Sequence, residues 1–236
     1  MMVPWLMAEG LRDVALMHDR DPRHGAMSSV DAHHQLMADL RLHSTVPEHL
    51  RISFDTARNL YLYAWHVYRF YPVAEAQALV TLEAGLREVM PYRLPPAYQR
   101  PKQERAMLFG LVNHAIDIGL IRNEGFSRWH RAAAQSARER ATWARLEVME
   151  RLGLQELEID PHEPVDVIPE DQGWDLLDVL RRSLSTRRNA HAHGEGGLTP
   201  SVYGTLELVC EILNQVFPVS DAKNGPQNSS GESESG

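Results

Sequence analysis

The chain has 236 residues, of which 43% are apolar, and it carries a formal net charge of −8 at pH 7. This length is enough for one substantial helical domain or for a small domain with additions. No apolar run approaches the roughly 18–20 residues that cross a bilayer, so the sequence predicts no membrane span. The acidic balance argues against a protein that coats nucleic acid through general charge attraction, although a local basic site stays compatible with it.

The cysteine and arginine contents bear on the location of the protein and on what it could bind. Cys210 is the only cysteine, so it forms no internal disulfide, and its helical apolar surroundings predict a small core residue. The N-terminus has no basic region of the kind that opens a signal peptide. These features predict a cytoplasmic location. The positive charge comes from 22 arginines and only two lysines. Arginine suits bidentate phosphate contacts, but genomic base composition would produce the same bias.

The first 50 residues are predicted to form an N-terminal helical extension. Apolar spacing predicts helices over 4–17 and 29–41, with a polar stretch between them. The pair His33-His34 is expected to be loop surface.

Residues 51–218 are predicted to form the main helical domain. Apolar residues at helical spacing predict helices over 53–69, 72–90, 103–121, 126–151, 172–193 and 200–217. Pro72 is expected to begin the second of these, and Thr199-Pro200 the last. Asp171 is expected to cap helix 172–193. No segment shows sustained β-branched alternation, so strands are expected to be rare or absent.

Two further segments stand out by composition. Residues 152–180 hold nine acidic side chains and neither Lys nor Arg, and 152–171 is predicted to be an acidic loop inserted between two core helices. It is either a solvated insertion or an electrostatic lid over nearby arginines. Residues 219–236 are polar and rich in Ser, Gly and Asn, which predicts a disordered tail.

The candidate site lies at the end of predicted helix 172–193. Its sequence is Arg188-Asn189-Ala190-His191-Ala192-His193-Gly194. Arg188 can hold a phosphate through two parallel hydrogen bonds, and His193 can exchange a proton near neutral pH. A helix C-terminus favours the charged imidazolium, and Asn189 can donate a hydrogen bond to the substrate or orient the histidine. These are the parts needed to cleave RNA without a metal.

This motif resembles the R-N-x-x-x-H signature of the HEPN superfamily, helical proteins that include many prokaryotic ribonucleases of defence and toxin–antitoxin systems. The resemblance covers 170–217 and extends to 53–151. It implies an all-α, up-and-down helical bundle and a homodimer whose two motifs face one cleft. It also implies metal-independent RNA cleavage by attack of the 2′-hydroxyl, with Arg188, Asn189 and His193 as the catalytic residues. No cofactor is expected, RNA is the expected substrate, and an antitoxin or other regulatory partner is compatible with the resemblance.

Three residues are candidates for a supporting role. Glu83 and Arg87 lie one turn apart, so they form either an intrahelical ion pair or a group in which Glu83 faces the motif and orients Arg188 or a histidine. His191 is two positions from His193. Because side chains two apart on a helix do not face each other, a metal shared by these histidines is not expected.

Arginines near the motif are candidate substrate contacts. Arg181, Arg182 and Arg187 extend the phosphate-binding surface or form a solvated face. Predicted helix 126–151 offers either a second RNA-contacting surface or a side exposed to water, through arginines 128, 131, 138, 140 and 145. Its Trp129 and Trp143 are expected to serve core or interface packing.

The sequence favours an endoribonuclease over two alternatives. One is a non-catalytic HEPN-like module that binds RNA or nucleotide, or that dimerises. The other is a purely structural helical protein in which Arg188 and Asn189 cap carbonyls and His193 closes the helix. Exposure separates them: burial of Arg188 and His193 within one protomer favours the structural role, and a cleft shared by two chains favours the nuclease.

Overall fold

The computed structural model describes residues 10–24, 29–99, 106–156, 164–183 and 202–219. In these ranges every regular element is a helix and no strand occurs. The prediction of an all-α chain is therefore confirmed at the level of class. None of the helices in these ranges is both long and apolar enough to cross a bilayer.

The N-terminal part is less helical than predicted. Within 10–17 only a short 3-10 helix forms, over Val14–Leu16, and residues 1–9 lie outside the described ranges. Helix α1 spans Val30–Ala38, and the hydroxyl of Ser29 caps it by accepting from the backbone N–H of Ala32 at 3.1 Å. This cap places the start of α1 one residue after the predicted start.

The sequence predicted that His33 lies on a loop surface, and this prediction is wrong. His33 is buried on α1, its Nε2 donates to the carbonyl of Tyr61 at 2.9 Å, and the two rings stack with centroids 4.7 Å apart. Burial lowers the pKa of His33. Its neighbour His34 is exposed. The described part of residues 1–50 thus shares the core of the later helices, to which Met37 and Leu40 also contribute.

Helices α2 and α3 form the centre of the fold. Helix α2 spans Glu48–Tyr63 and α3 spans Phe70–Val89. Because α3 packs against α2 and also against two later helices, it buries side chains on more than one side. Pro72, predicted to begin α3, lies in its first turn, where proline is tolerated.

The next two helices end at glycines with positive φ. Helix α4 spans Leu108–Asp117, and α5 spans Ser127–Leu152. Gly119 follows α4 at φ 70°, and Gly153 caps α5 at φ 64°. The left-handed region stops a helix, and glycine enters it at little cost, so the apolar spacing that predicted α4 as far as residue 121 overshoots its end.

The last two helices flank residues 184–201. Residues 176–183 are helical and form α6, and α7 spans Tyr203–Val216. Helix α7 packs against α3 and α2. Its Cys210 is buried, as predicted, and burial raises the pKa of this thiol to about 12.

Candidate functional site

Most residues of the predicted site lie outside the described ranges. Arg187, Arg188, Asn189, His191 and His193 all fall within 184–201. The structure does place the helices on either side of this segment, together with the side chains that fix those helices. The two helices that flank this segment are α6 upstream and α7 downstream.

The upstream flank, α6, is fixed at its start by side chains from two places in the chain. Asp175 Oδ1 accepts from the backbone N–H groups of Leu177 and Asp178 at 3.0 and 3.3 Å. Asn123 Oδ1 accepts from the N–H groups of Leu176 and Leu177 at 3.1 and 3.2 Å. Asp175 and Asn123 therefore cap α6.

The predicted cap, Asp171, has another role. It lies in a short 3-10 helix, Pro169–Gln172, and its carboxylate accepts two hydrogen bonds from Arg140 of α5, at 3.0 and 2.8 Å. Arg140 also donates to the carbonyl of Asp166 at 2.8 Å. The hydrogen bonds from Arg140 hold the pKa of the Asp171 carboxyl below its usual range. Asp166 and Asp171, which belong to the part of the acidic segment that the structure describes, are thus bound to α5.

Farther along α6, Arg181 binds the C-terminal end of α4. Its Nη1 donates to Asn113 Oδ1 at 3.1 Å, and its Nη2 donates to Asp117 Oδ1 at 2.5 Å. The other carboxylate oxygen of Asp117 accepts from the hydroxyl of Tyr98 at 2.6 Å. We call Tyr98, Asn113, Asp117 and Arg181 the Arg181 anchor.

The Arg181 anchor shifts two pKa values in directions that follow from its hydrogen bonds. The bonds from Arg181 and then Tyr98 lower the pKa of Asp117. The bond to Asp117 raises the pKa of Tyr98. At neutral pH the cluster therefore holds a carboxylate, a guanidinium and a neutral phenol. The guanidinium of Arg181, a predicted substrate contact, is already bound to an acid of its own chain.

The other predicted arginine contact in the described part of the chain is Arg182. It pairs with Asp178 one turn earlier on the same helix, and both side chains are largely exposed. An exposed i,i+4 pair is weak, and an incoming phosphate can compete with it.

The downstream flank, the first turns of α7, is fixed by a buried carboxylate. Glu207 accepts from Arg128 and from Arg131 of α5, both at 2.9 Å. Arg128 also donates to the carbonyl of Gly204 at 3.2 Å. Two residues before Glu207, the hydroxyl of Thr205 donates to Glu75 of α3 at 2.5 Å in a buried contact. The start of α7 is thus bound to both α5 and α3.

Glu83 and Arg87 form the ion pair that their spacing predicts, within α3. Both side chains are largely buried. The intrahelical pair is therefore present, while a role for Glu83 in orienting the motif stays a prediction.

Three arginines of α5 are bound to carboxylates of the same chain. Arg128 and Arg131 face Glu207, and Arg140 holds Asp171. Trp129 is buried, as expected for core packing, and its indole N–H donates to the carbonyl of Trp174 at 2.9 Å. Trp143 is exposed.

Sequence reasoning missed Tyr98, Asp117 and Glu207. Each is one ordinary residue in a helix or turn, and its partner lies 19, 64 or 76 residues away. Within the described ranges, no three His, Cys, Asp or Glu side chains are grouped so that they could hold a metal ion. Comparisons of the chain with family models, with curated proteins and with solved structures gave no match.

Proposed function

We propose that this chain is a metal-independent endoribonuclease of the HEPN type. The observation that carries the proposal is the run Arg188-Asn189-Ala190-His191-Ala192-His193. The all-helical class supports it, and so does the position of the run between α6 and α7.

The proposed reaction is attack of a ribose 2′-hydroxyl on the adjacent phosphorus. A new P–O2′ bond forms and the P–O5′ bond breaks, which leaves a 2′,3′-cyclic phosphate and a free 5′-hydroxyl. His193 takes the proton of the attacking hydroxyl, and His193 of a second protomer gives a proton to the leaving oxygen. Arg188 stabilises the charge on the phosphoryl oxygens, and Asn189 donates a hydrogen bond to the substrate or to the histidine.

The surrounding residues have secondary roles in this proposal. Arg182 and Arg187 contact phosphates of the RNA next to the cleaved bond. Glu83, Arg87 and His191 support the catalytic residues. The site is composite, at the interface of a homodimer, and it needs neither a metal nor a cofactor. The biological setting we propose is defence or a toxin–antitoxin pair, in which a partner protein restrains the activity.

The proposal is tested by incubating mixed-sequence RNA with purified protein in EDTA. We expect the wild type to cleave, and we expect His193→Ala to abolish cleavage. His34→Ala, which removes an exposed histidine from α1, is the matched control and should cleave like the wild type. Cleavage that persists in His193→Ala would refute the assignment.

Two further measurements test the chemistry and the composite site. A substrate with a 2′-deoxyribose at the cleaved position should stay intact, because it lacks the attacking group. Specific activity should fall on dilution below the dimer dissociation constant, because one protomer holds only half of the site. Activity that is independent of protein concentration, in a chain that stays monomeric, would contradict the composite site.

A second candidate is a non-catalytic HEPN-like dimerisation or binding module. It is favoured by Trp143 and Leu146, two large apolar side chains that are exposed three residues apart on one side of α5. Contiguous exposed apolar surface is typical of a protein contact. A dimer that binds RNA without cleaving it in EDTA would support this candidate over the nuclease.

A further inference from the structure

Residues 19–24 lie across the corner between α2 and α3, and we call them the N-terminal clasp. The backbone N–H of Asp21 donates to the carbonyl of Trp65 at 2.9 Å, and Asp21 Oδ2 accepts from the N–H of Tyr68 at 3.0 Å. The side chain of Asp21 is buried beneath these contacts. The N-terminal clasp is thus bound to the corner by hydrogen bonds on both the main chain and the side chain of one residue.

One aromatic enclosure at this corner holds two histidines from different elements. His24 of the N-terminal clasp stacks on Trp65 with ring centroids 5.1 Å apart, and His33 of α1 stacks on Tyr61 at 4.7 Å. Tyr71 contacts both imidazoles, at 5.8 and 6.1 Å. The two imidazole centroids are 6.1 Å apart. At this distance, and shielded from water by the same rings, a charge on one histidine opposes a charge on the other.

Neutral or positive groups face His33 from the elements packed against it. From α2 and α3 these groups are Tyr61 and Tyr71, and burial raises the pKa of each, so both phenols are neutral. From the N-terminal clasp they are His24 and the guanidinium of Arg20, which lies 4.8 Å from the centroid of the tryptophan ring that both histidines contact. Burial, and after it the charge of His24, lower the pKa of His33. A proton on His33 is therefore unfavourable while the N-terminal clasp is closed.

The carboxylate of Asp21 does not offset that proton, because Arg23 already binds it. Arg23 donates to its two oxygens at 2.8 and 2.7 Å. Burial alone would raise the pKa of Asp21, but the hydrogen bonds from Arg23 and from the N–H of Tyr68 lower it to about 2. The Asp21–Arg23 pair therefore keeps the same charge between about pH 7.5 and about pH 5.5, and only the histidines gain charge over that range.

The N-terminal clasp is the part of this enclosure that opens most easily. Among the described residues 10–24, none contributes a side chain to the hydrophobic core, whereas Met37 and Leu40 hold α1 in that core. Local opening occurs where few apolar contacts are buried. Hydration of a charged His33 therefore requires less rearrangement if the N-terminal clasp opens than if α1 moves.

We infer that the N-terminal clasp is a pH-sensitive device, which opens from the corner between α2 and α3 when His33 is protonated. Opening removes His24 and Arg20 from the ring of Trp65, which is only 9% exposed while the N-terminal clasp is closed. An aromatic surface is thereby exposed to water at acidic pH and covered at neutral pH. The inference does not depend on RNA cleavage.

Linkage fixes the sign and the size of the effect. In the open state His33 has its usual pKa of 6.5, and in the closed state its pKa is lower, so opening takes up a proton. The closed state is therefore most favoured above pH 6.5 and is disfavoured as the pH falls below it. One proton changes the opening equilibrium by at most about tenfold per pH unit.

Residue-resolved hydrogen exchange at about pH 7.5 and about pH 5.5 tests the inference. The N–H groups of Asp21 and Tyr68 report on the N-terminal clasp, and that of Val209 in the core of α7 reports on global unfolding. At both pH values we expect the first two to be protected at least about tenfold less than Val209, because they exchange through local opening. Their protection factors should fall by up to about tenfold at the lower pH. Protection equal to that of Val209, or unchanged between the two pH values, would overturn the inference.

A pair of histidine variants identifies the group that titrates. His33→Gln keeps an N–H donor for the carbonyl of Tyr61 but binds no proton, so the protection of the N-terminal clasp should no longer depend on pH. The matched control is His34→Gln, at the exposed next residue of α1, and it should behave like the wild type. If His33→Gln loses protection at the lower pH as the wild type does, His33 is not the switch. If His33→Gln does not fold, the wild-type profile decides: protection that already falls between about pH 8.5 and about pH 7 would assign the change to another group.

Discussion

Gly110→Ala tests the close approach of α4 to the backbone of Tyr98. The added Cβ would lie 1.9 Å from the carbonyl oxygen of Tyr98, and ordinary van der Waals contact begins at 3.4 Å. The turn Pro96–Tyr98 and α4 must therefore separate by about 1.5 Å, the difference between these distances. Because a backbone carbonyl cannot rotate away as a side chain can, the steric cost should reach the upper part of the range for overpacked sites.

Two opposing contributions set the change in the free energy of unfolding that Gly110→Ala causes. Overpacking a well-packed site costs about 1–3 kcal/mol, and the better helix propensity of alanine returns at most about 1 kcal/mol. We therefore expect Gly110→Ala to lower the free energy of unfolding by about 2 kcal/mol. For a chain of this size that corresponds to a Tm lower by roughly 4–8 °C.

Thermal unfolding followed by circular dichroism and calorimetry measures this change. Gly85→Ala on α3 is the control, because its Cβ would meet the Cδ2 of Leu213 at 2.5 Å, the end of a side chain that can change rotamer. The same propensity gain applies there, so its Tm should fall by less than half as much. A Gly110→Ala protein that melts at or above the wild-type Tm would refute the packing of Tyr98 on α4.

Three further predictions concern titration, charge and the acidic segment. Burial lowers the pKa of His33 from its usual 6.5, so as the pH falls this residue binds a proton in the unfolded chain before it does so in the folded chain. The contribution of neutral His33 to the free energy of unfolding is therefore fully present above pH 6.5 and is lost as the pH falls below it. Urea unfolding between about pH 7 and pH 5 should show this slope, and His33→Gln should flatten it; an unchanged slope would exclude His33 as its source. Glu207→Gln should cost about 1–2 kcal/mol in the free energy of unfolding, because Arg128 and Arg131 lose their shared carboxylate. Glu88→Gln, at an exposed pair with His49, should cost less than about 0.5 kcal/mol, and equal losses would contradict the importance of burial. Asp171→Asn should raise RNA affinity measured by fluorescence anisotropy, because it releases the acidic segment from Arg140, and unchanged affinity would reject the electrostatic lid.

Local patterns predicted the helices because apolar spacing is a local property. Predicted helix 72–90 appears as Phe70–Val89, and predicted helix 126–151 appears as Ser127–Leu152. Errors arose where one residue overrides the spacing. Gly119 stops α4 although the apolar pattern continues through Ile118. Of predicted helix 4–17 the structure describes residues 10–17, and these form only one 3-10 turn, Val14–Leu16, in which no side chain is buried.

Long-range contacts were not predictable from one sequence. His33 gives no apolar signal, and its burial depends on Tyr61, which lies 28 residues later. Asp171 has the residue type and position of a helix cap, but Arg140 binds it from another helix. The two flanks of the motif are held by pairs such as Arg181–Asp117 and Arg131–Glu207, whose partners nothing in the local sequence specifies. The motif itself was found because its residues are adjacent in the chain.

The uneven burial of α5 has a consequence for how this chain can vary. Trp129, Ala133 and Ala137 are the buried residues of this helix, so its remaining turns, as far as Leu152, contribute no fully buried side chain. An isolated helix of about that length is marginal in water, so these turns depend on the first half for their nucleation. Fraying should therefore begin at Leu152 and stop near Arg140, whose guanidinium binds Asp171, without disturbing the core. Substitutions in the first half of α5 should therefore disturb folding, and substitutions in the second half should not. The sequence of the second half can then change to fit the surface of a partner.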